Sequence, residues 1–265
     1  MKIKKLQFKE KYGPFALVAG GSYGLGGAYS EALAKRGLNL VIIARNKEKL
    51  EETAARLREQ YGVEIKTLAQ DLADFEKTKN LITELEVSIG LLVYNAAFAP
   101  IELIENASEE NLSQAMMVNV RTPILLANML CPSMVQNKRG GIVLMSSLAG
   151  GQGCPRLAPY TASKAFNAIL AEGLWAEMHR HGVDVVGCCP GGILTPGYQQ
   201  AGKDSKYAPG TMSPGDVAEQ TIRALGKGPI VIPGGVNKLA RFLFTRLLTR
   251  KRAISIMSKT TGGLA

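Results

Sequence analysis

Histidine is almost missing from this chain: in 265 residues there are only His179 and His181. They stand two apart near a helix end, which is no plausible metal pair, and exposed polar side chains are their expected role. Cysteine is scarce too, and Cys131, Cys154, Cys188 and Cys189 show no metal-ligand spacing. The adjacent pair falls in a strand-like run, where neighbours point to opposite faces. Buried reduced thiols in a cytoplasmic protein are therefore expected, and no metal. No apolar run is long enough to cross a bilayer. The basic start Met1-Lys2-Ile3-Lys4-Lys5 lacks the apolar core and cleavage site of a secretory signal. Internal repeats and low-complexity tracts are absent. Acid is short as well, with 22 Asp and Glu against 32 Lys and Arg and a formal charge of +10. A nucleic-acid role would want a binding motif or interleaved aromatics, and neither is present, so nucleic acid is not an expected partner.

What the chain does have is alternation. Apolar runs recur at 15–19, 39–44, 64–69, 91–95, 141–146, 183–189 and 229–232, with helical patterns between them. That order argues for a parallel sheet covered on both faces. Right-handed crossovers make it a doubly wound α/β (Rossmann) sheet of about seven strands, and one domain suffices at this length. Residues 1–235 form the expected domain, with 236–265 a C-terminal extension packed on it. Ligands in such sheets bind outside the carboxyl ends of the strands.

Chemistry-bearing residues fall at those ends. Phe15–Ala19 runs into Gly20-Gly21-Ser22-Tyr23-Gly24-Leu25-Gly26 and then a helical pattern. Strand, glycine turn and helix in that order suit a dinucleotide: glycines let the backbone approach a pyrophosphate, and the helix N-terminus offers free N–H groups and partial positive charge. The spacing is Gly-x-x-x-Gly-x-Gly rather than Gly-x-Gly-x-x-Gly. Further strand ends carry Asn95-Ala96-Ala97, Ser146-Ser147, and Pro190-Gly191-Gly192 with Thr195 beyond. Tyr160-Thr161-Ala162-Ser163-Lys164 then places a phenol and an ammonium on one helix face. A nearby cation should lower the phenol's pKa, so such a pair can pass a proton to or from a substrate oxygen.

Together these motifs resemble the short-chain dehydrogenase/reductase family over residues 12 to 235. The resemblance implies that Tyr160 is the catalytic acid/base and that Lys164 lowers its pKa and holds the nicotinamide ribose. It also implies that Ser147, not Ser146, polarises the substrate oxygen, and that Asn119 supports a proton-relay water. Two departures are Ala19, where threonine is usual, and Ala97, where glycine is usual. The cofactor contacts carried over are Gly20, Ser22, Tyr23, Gly24, Leu25, Gly26, Asn95, Ala96, Tyr160, Lys164, Pro190, Gly191, Ile193 and Thr195. Asp71 and Leu72 resemble the adenine contact, although Asp71 could instead cap the next helix, as Asp74 could.

The second strand ends in Arg45-Asn46-Lys47, with no acid before Glu48. An acid there would bond a ribose 2′-OH, whereas an arginine accommodates a 2′-phosphate, so NADP(H) is the expected cofactor. The other reading is a surface arginine paired with a nearby acid.

Phe8–Gly13, Arg45–Leu50 and Met212-Ser213-Pro214 resemble hydroxysteroid dehydrogenase branches of the family, bacterial bile-acid enzymes included. In the family the stretch holding Gln152, Cys154, Pro155 and Leu157 lines the substrate site, and its apolar character implies a bulky hydrophobic ketone or alcohol. A 3-oxoacyl thioester reductase and a non-catalytic NADP(H)-binding regulator are the alternatives. Residues 197–212 read as a loop over the site, with Ser213 capping the next helix. Residues 236–259 carry Lys238, Arg241, Arg246, Arg250, Lys251, Arg252 and Lys259 with no acid, beside Leu239, Leu243, Leu247, Ile254 and Met257 at helical spacing. This pattern can lie on anionic membrane. The favoured reading is that it closes the substrate pocket or a subunit contact in a homodimer or homotetramer.

Overall fold

The computed structural model describes residues 2–195 and 209–261. Seven parallel strands form one sheet in the order β3-β2-β1-β4-β5-β6-β7. They are β1 (Phe15–Ala19), β2 (Asn39–Ala44), β3 (Ile65–Ala69), β4 (Ile89–Tyr94), β5 (Gly140–Met145), β6 (Val183–Cys188) and β7 (Ile230–Val231). Every residue of β1, β4, β5 and β6 is buried. Helices cover both faces, which is why these strands are continuous apolar runs rather than alternating ones.

Helices α2 (Gly24–Ala34), α3 (Lys47–Tyr61), α4 (Phe75–Glu84), α5 (Glu109–Met116), α6 (Thr122–Gln136), α7 (Ala158–His179) and α8 (Pro214–Ala224) connect the strands. Two apolar cores result, one on each face. Val18, Tyr29, Leu40 and Ile42 pack on one side of the sheet, while Leu17, Val41, Leu92 and Leu126 pack on the other. Strand order reverses its progression between β1 and β4, so a crevice opens there at the carboxyl ends.

Two elements were not legible in the sequence. Helix α1 (Lys2–Tyr12) precedes β1. It is basic and barely amphipathic, and Phe8 and Tyr12, their rings tilted against each other with centroids 4.6 Å apart, mark its inner side. Tyr12 donates to Asp184 Oδ2 at 2.5 Å, and Lys11 pairs with the same carboxylate. The helix is thereby tied to the start of β6. The other is a π-helical turn, Met117–Arg121, between α5 and α6.

The C-terminal segment forms α9 (Gly235–Phe242), a second π turn (Leu243–Leu247) and α10 (Arg250–Thr261). Its inner face docks through buried Asn237, which donates to Pro233 O at 2.9 Å and Gly210 O at 3.0 Å, and through fully buried Ala253. Its outer face leaves Val236, Leu239, Phe242, Leu243 and Leu247 exposed. Ser213 caps α8 by accepting from Asp216 N at 3.1 Å. Most of the expected 197–212 loop lies outside the described residues. No described helix is long and apolar enough to cross a membrane.

Candidate active site

The glycine turn follows β1 directly. Gly20 has φ +77°, and a Cβ there would meet the Ala96 backbone at 2.9 Å. A Cβ on Gly26 would collide with the Gly20 carbonyl, so Gly26 serves close packing of α2 on the turn rather than lining the cleft. Gly24, at φ +58°, opens α2. Asn95 clips the two strand ends together. Its N–H donates to Ala19 O at 3.0 Å and its side-chain Nδ2 to Gly20 O at 3.2 Å.

Between these elements lies a cleft of about 450 Å³. Of the expected cofactor contacts, Gly20, Ser22, Tyr23, Gly24, Leu25, Arg45, Asp71, Leu72, Asn95, Ala96 and Thr195 line it. Tyr160 and Lys164 do not, nor do Pro190, Gly191 and Ile193. Pro190 O accepts from Leu148 N at 2.9 Å, a Cβ on Gly191 would meet Asn237 Oδ1 at 2.5 Å, and Ile193 bridges to Met212. These last three hold the loop after β6 in place beside the cleft.

At the far end of the cleft, Arg45 is 65% exposed and reaches Asp71 Oδ2 only at 4.0 Å. That contact is too long and too wet to hold the guanidinium. The capping question resolves cleanly. Asp74 caps α4, accepting from Lys77 N at 3.1 Å, and Asp71 Oδ1 accepts from Ala73 N at 2.9 Å. Sequence reasoning missed Asn46, Lys49 and Gln70, which also line the cleft. Lys49 Nζ lies 5.2 Å from the Tyr23 ring centroid. Its position four residues after Arg45, on the first turn of α3, was the available signal.

Helix α7 carries Tyr160 and Lys164 against β5. Lys164 is buried, and its Nζ donates to Met145 O at 2.9 Å and stands 5.5 Å from the Tyr160 ring centroid. Burial lowers its pKa to about 8. The two serines that follow β5 take different partners. Ser146 Oγ turns inward to Lys164 O at 2.7 Å, while the Ser147 hydroxyl bears on the Tyr160 phenol. The expectation that Lys164 lowers the phenol's pKa is corrected. Burial raises the Tyr160 pKa, and the Ser147 hydrogen bond only partly offsets it. The ammonium engages a backbone carbonyl and is itself desolvated, so burial wins.

Asn119 lies on the π turn, its side chain clamping Phe98. Nδ2 donates to Phe98 O at 2.7 Å, and Oδ1 accepts from Phe98 N at 2.8 Å. Its main-chain carbonyl accepts from Asn167 Nδ2 at 3.1 Å. Asn167 also approaches Met145 O at 3.4 Å, the carbonyl that Lys164 uses. It stands one turn beyond Lys164 and belongs to no motif, and nothing in the sequence singled it out.

A family model described as short chain dehydrogenase matches residues 14–206. The chain belongs to that family. It is 31% identical over 235 residues to a 7beta-hydroxysteroid dehydrogenase of Clostridium sardiniense, covering 88% of this chain and 90% of that protein. A solved structure described for 7beta-hydroxysteroid dehydrogenase stereoselectivity superposes with TM-score 0.88 at 28% identity, covering 94% of this chain and 98% of the other. A short-chain dehydrogenase from Sphingobium yanoikuyae in complex with NADPH superposes with TM-score 0.77 at 28% identity, over 89% of this chain and 96% of that one.

Proposed function

We propose that the chain is an NADP(H)-dependent oxidoreductase that interconverts a ketone and a secondary alcohol on a bulky apolar substrate of hydroxysteroid type. The observation that carries this reading is the convergence of the Ser147 hydroxyl, the Tyr160 phenol and buried Lys164 beside the glycine-turned cleft.

The cleft's residues fit a dinucleotide. Gly20, at φ +77°, makes the tight turn at the cleft's floor. The open start of α2 suits a pyrophosphate, and buried Leu72 offers an apolar wall for a ring. Arg45 and Lys49 put cations, with no acid at the end of β2, where a 2′-phosphate would be read. When bound, the nicotinamide supplies or accepts the hydride. Everything else falls to the chain. Ser147 and Tyr160 hydrogen-bond the substrate oxygen. Because burial keeps the phenol protonated, Tyr160 is poised to donate a proton in the reduction direction. Lys164 stays charged up to about pH 8, with its Nζ 5.5 Å from the Tyr160 ring centroid. The Asn119 carbonyl, fixed by Asn167, serves the proton path.

A second, smaller chamber of about 140 Å³ is lined by Leu148, Ala149, Gln152, Ala240, Arg241, Phe244 and Met257. Its apolar wall directly after Ser147 favours a bulky ketone over a slender 3-oxoacyl thioester. Through Ala240, Arg241, Phe244 and Met257 the C-terminal extension is read as that chamber's outer wall. NADPH oxidation with a panel of bulky ketones and 3-oxoacyl thioesters tests the reading. Turnover should be fastest with the ketones, and turnover of thioesters alone, or of nothing, would contradict it.

The exposed stripe of Val236, Leu239, Phe242, Leu243 and Leu247 supports a homo-oligomer in which a second copy covers it. Arg250 favours this over a membrane, because its guanidinium turns inward to Gly151 O rather than outward. Burial of three of the four cysteines as free thiols suits a reducing, cytoplasmic setting. A dimer or larger species on a sizing column supports the oligomer, and a monomer that binds anionic liposomes contradicts it.

A further inference from the structure

The chamber beside Ser147 contains one cation that no described residue answers. Arg241 is half-buried in its wall. Its Nη1 lies 3.2 Å from where a Gly151 Cβ would stand, so the guanidinium rests against the loop that follows Ser147. Burial pushes the Cys189 thiol up, and the Ser146 hydrogen bond and the Arg241 charge pull it back. That charge therefore reaches the carboxyl end of β6. Ion pairs among the described residues involve Lys11, Arg36, Arg45, Arg56, Arg58, Lys66 and Arg223, and none involves Arg241. Nor does a described residue accept a hydrogen bond from its guanidinium. Residues 236–259 contain no acid that could approach it. Gln152 adds a buried amide to the same wall.

A guanidinium has five donors and no acceptor. Held half out of water in an apolar chamber, with its donors unspent, it favours a ligand that brings an anion. The rest of the wall is Leu148, Ala149, Ala240, Phe244 and Met257, which suits an apolar body. Resting on the ketone-reductase reading above, we propose that this chamber receives the far end of the substrate and that Arg241 binds a carboxylate there, with Gln152 as a second polar contact. The substrate class is then an apolar ketone or alcohol ending in an acid, with the reacting carbon at Ser147 and Tyr160 and the acid at the C-terminal segment. Recognition lies in KM rather than in the chemical step, because the contact is the same in ground and transition states.

The test compares a bulky ketone bearing a terminal carboxylate with its methyl ester, using NADPH and the full-length protein. In the wild type the acid should show a KM at least about tenfold below the ester's, the lower range for a charged hydrogen bond. Raising salt should narrow that gap. Arg241→Gln should raise KM for the acid at least about tenfold more than for the ester, and Arg241→Lys should keep part of the preference because it keeps the charge. Equal KM values for acid and ester in the wild type, or equal shifts in Arg241→Gln, would overturn the proposal while leaving the reductase reading intact. Turnover of neither compound would sink the reductase reading itself. A preference that appears only with a phosphate-bearing coenzyme A thioester, and not with its short neutral thioester or the free acid, would assign the cation to a thioester handle and overturn the carboxylate.

Discussion

The side-chain amide of Asn167 donates to the main-chain carbonyl of Asn119 at 3.1 Å. Asn167 is 1% exposed, and its own Oδ1 is buried without a partner. A buried orphan acceptor in a polar pocket calls for an ordered water. The same amide approaches Met145 O, so α7, the π turn and β5 are pinned together around Lys164. Asn167 thus acts as a positioning residue for the proton path. Asn167→Leu, of similar volume, should lower kcat by about tenfold or more and displace the alkaline limb of the pH–rate profile, the behaviour of a disturbed acid–base group. Asn167→Gln, which keeps an amide donor for the two carbonyls, should recover part of the rate, whereas Asn167→Asp, which has no donor when ionised, should not. A variant of lower melting temperature with an unchanged pH profile would show a purely structural role.

The pH dependence has a definite sign. Lys164 falls from an ordinary 10.5 to about 8 in the fold, because burial penalises its charge. Between those values the unfolded chain binds more protons than the folded one, so this group adds stability as pH rises from about 8 to 10.5. Urea midpoints of the wild type, compared with Lys164→Met, should show the wild type gaining on the variant across that window. No change in the gap would contradict a buried, desolvated lysine. Reduction, which needs a protonated Tyr160 and a charged Lys164, should decline above about pH 8, while alcohol oxidation should rise.

Cofactor choice rests on Arg45 and Lys49. Arg45→Ala should raise KM for NADPH by about tenfold, corresponding to about 1.5 kcal/mol, the lower end for a charged contact on an exposed side chain. KM for NADH should move far less. Arg45→Ala with Lys49→Ala should erase the preference. If the wild type uses NADH equally well, or both KM values shift together, neither residue reads a 2′-phosphate.

The C-terminal segment is predicted to be part of the enzyme rather than an appendage. Truncation before Asn237 removes Arg241, Phe244 and Met257 from the chamber and Asn237 from beneath Gly191. Activity on bulky ketones should fall by about 10² or more, as for a misplaced substrate, with loss of solubility or of oligomeric size as well. A truncated protein that remains soluble, fully active and unchanged on a sizing column would contradict this.

The sheet was legible because parallel strands buried on both faces are written as unbroken apolar runs. Their ends shifted by a residue or two, as at β4, which starts at Ile89 rather than Leu91. Ser147, Tyr160, Lys164 and most of the cleft were legible because each ends or follows a strand in a fixed order. Helix α1 was not, since its packing depends on Asp184, far along the chain. Neither was the π turn, because an i→i+5 bond leaves no periodic mark. Tyr160's raised pKa was hidden for a different reason: spacing shows that a cation is near but not how far burial acts on each group.

The central claim is that Tyr160 delivers the proton that completes ketone reduction. The direct measurement is the single-turnover rate of NADPH oxidation on a bulky ketone, wild type against Tyr160→Phe, with NADPH affinity measured alongside. Only a hydroxyl is lost, so the fold and NADPH binding should persist while the rate falls by about 10² or more, the lower range for general acid catalysis. A purified, folded Tyr160→Phe variant that binds NADPH and reduces the ketone at near wild-type rate would contradict the account.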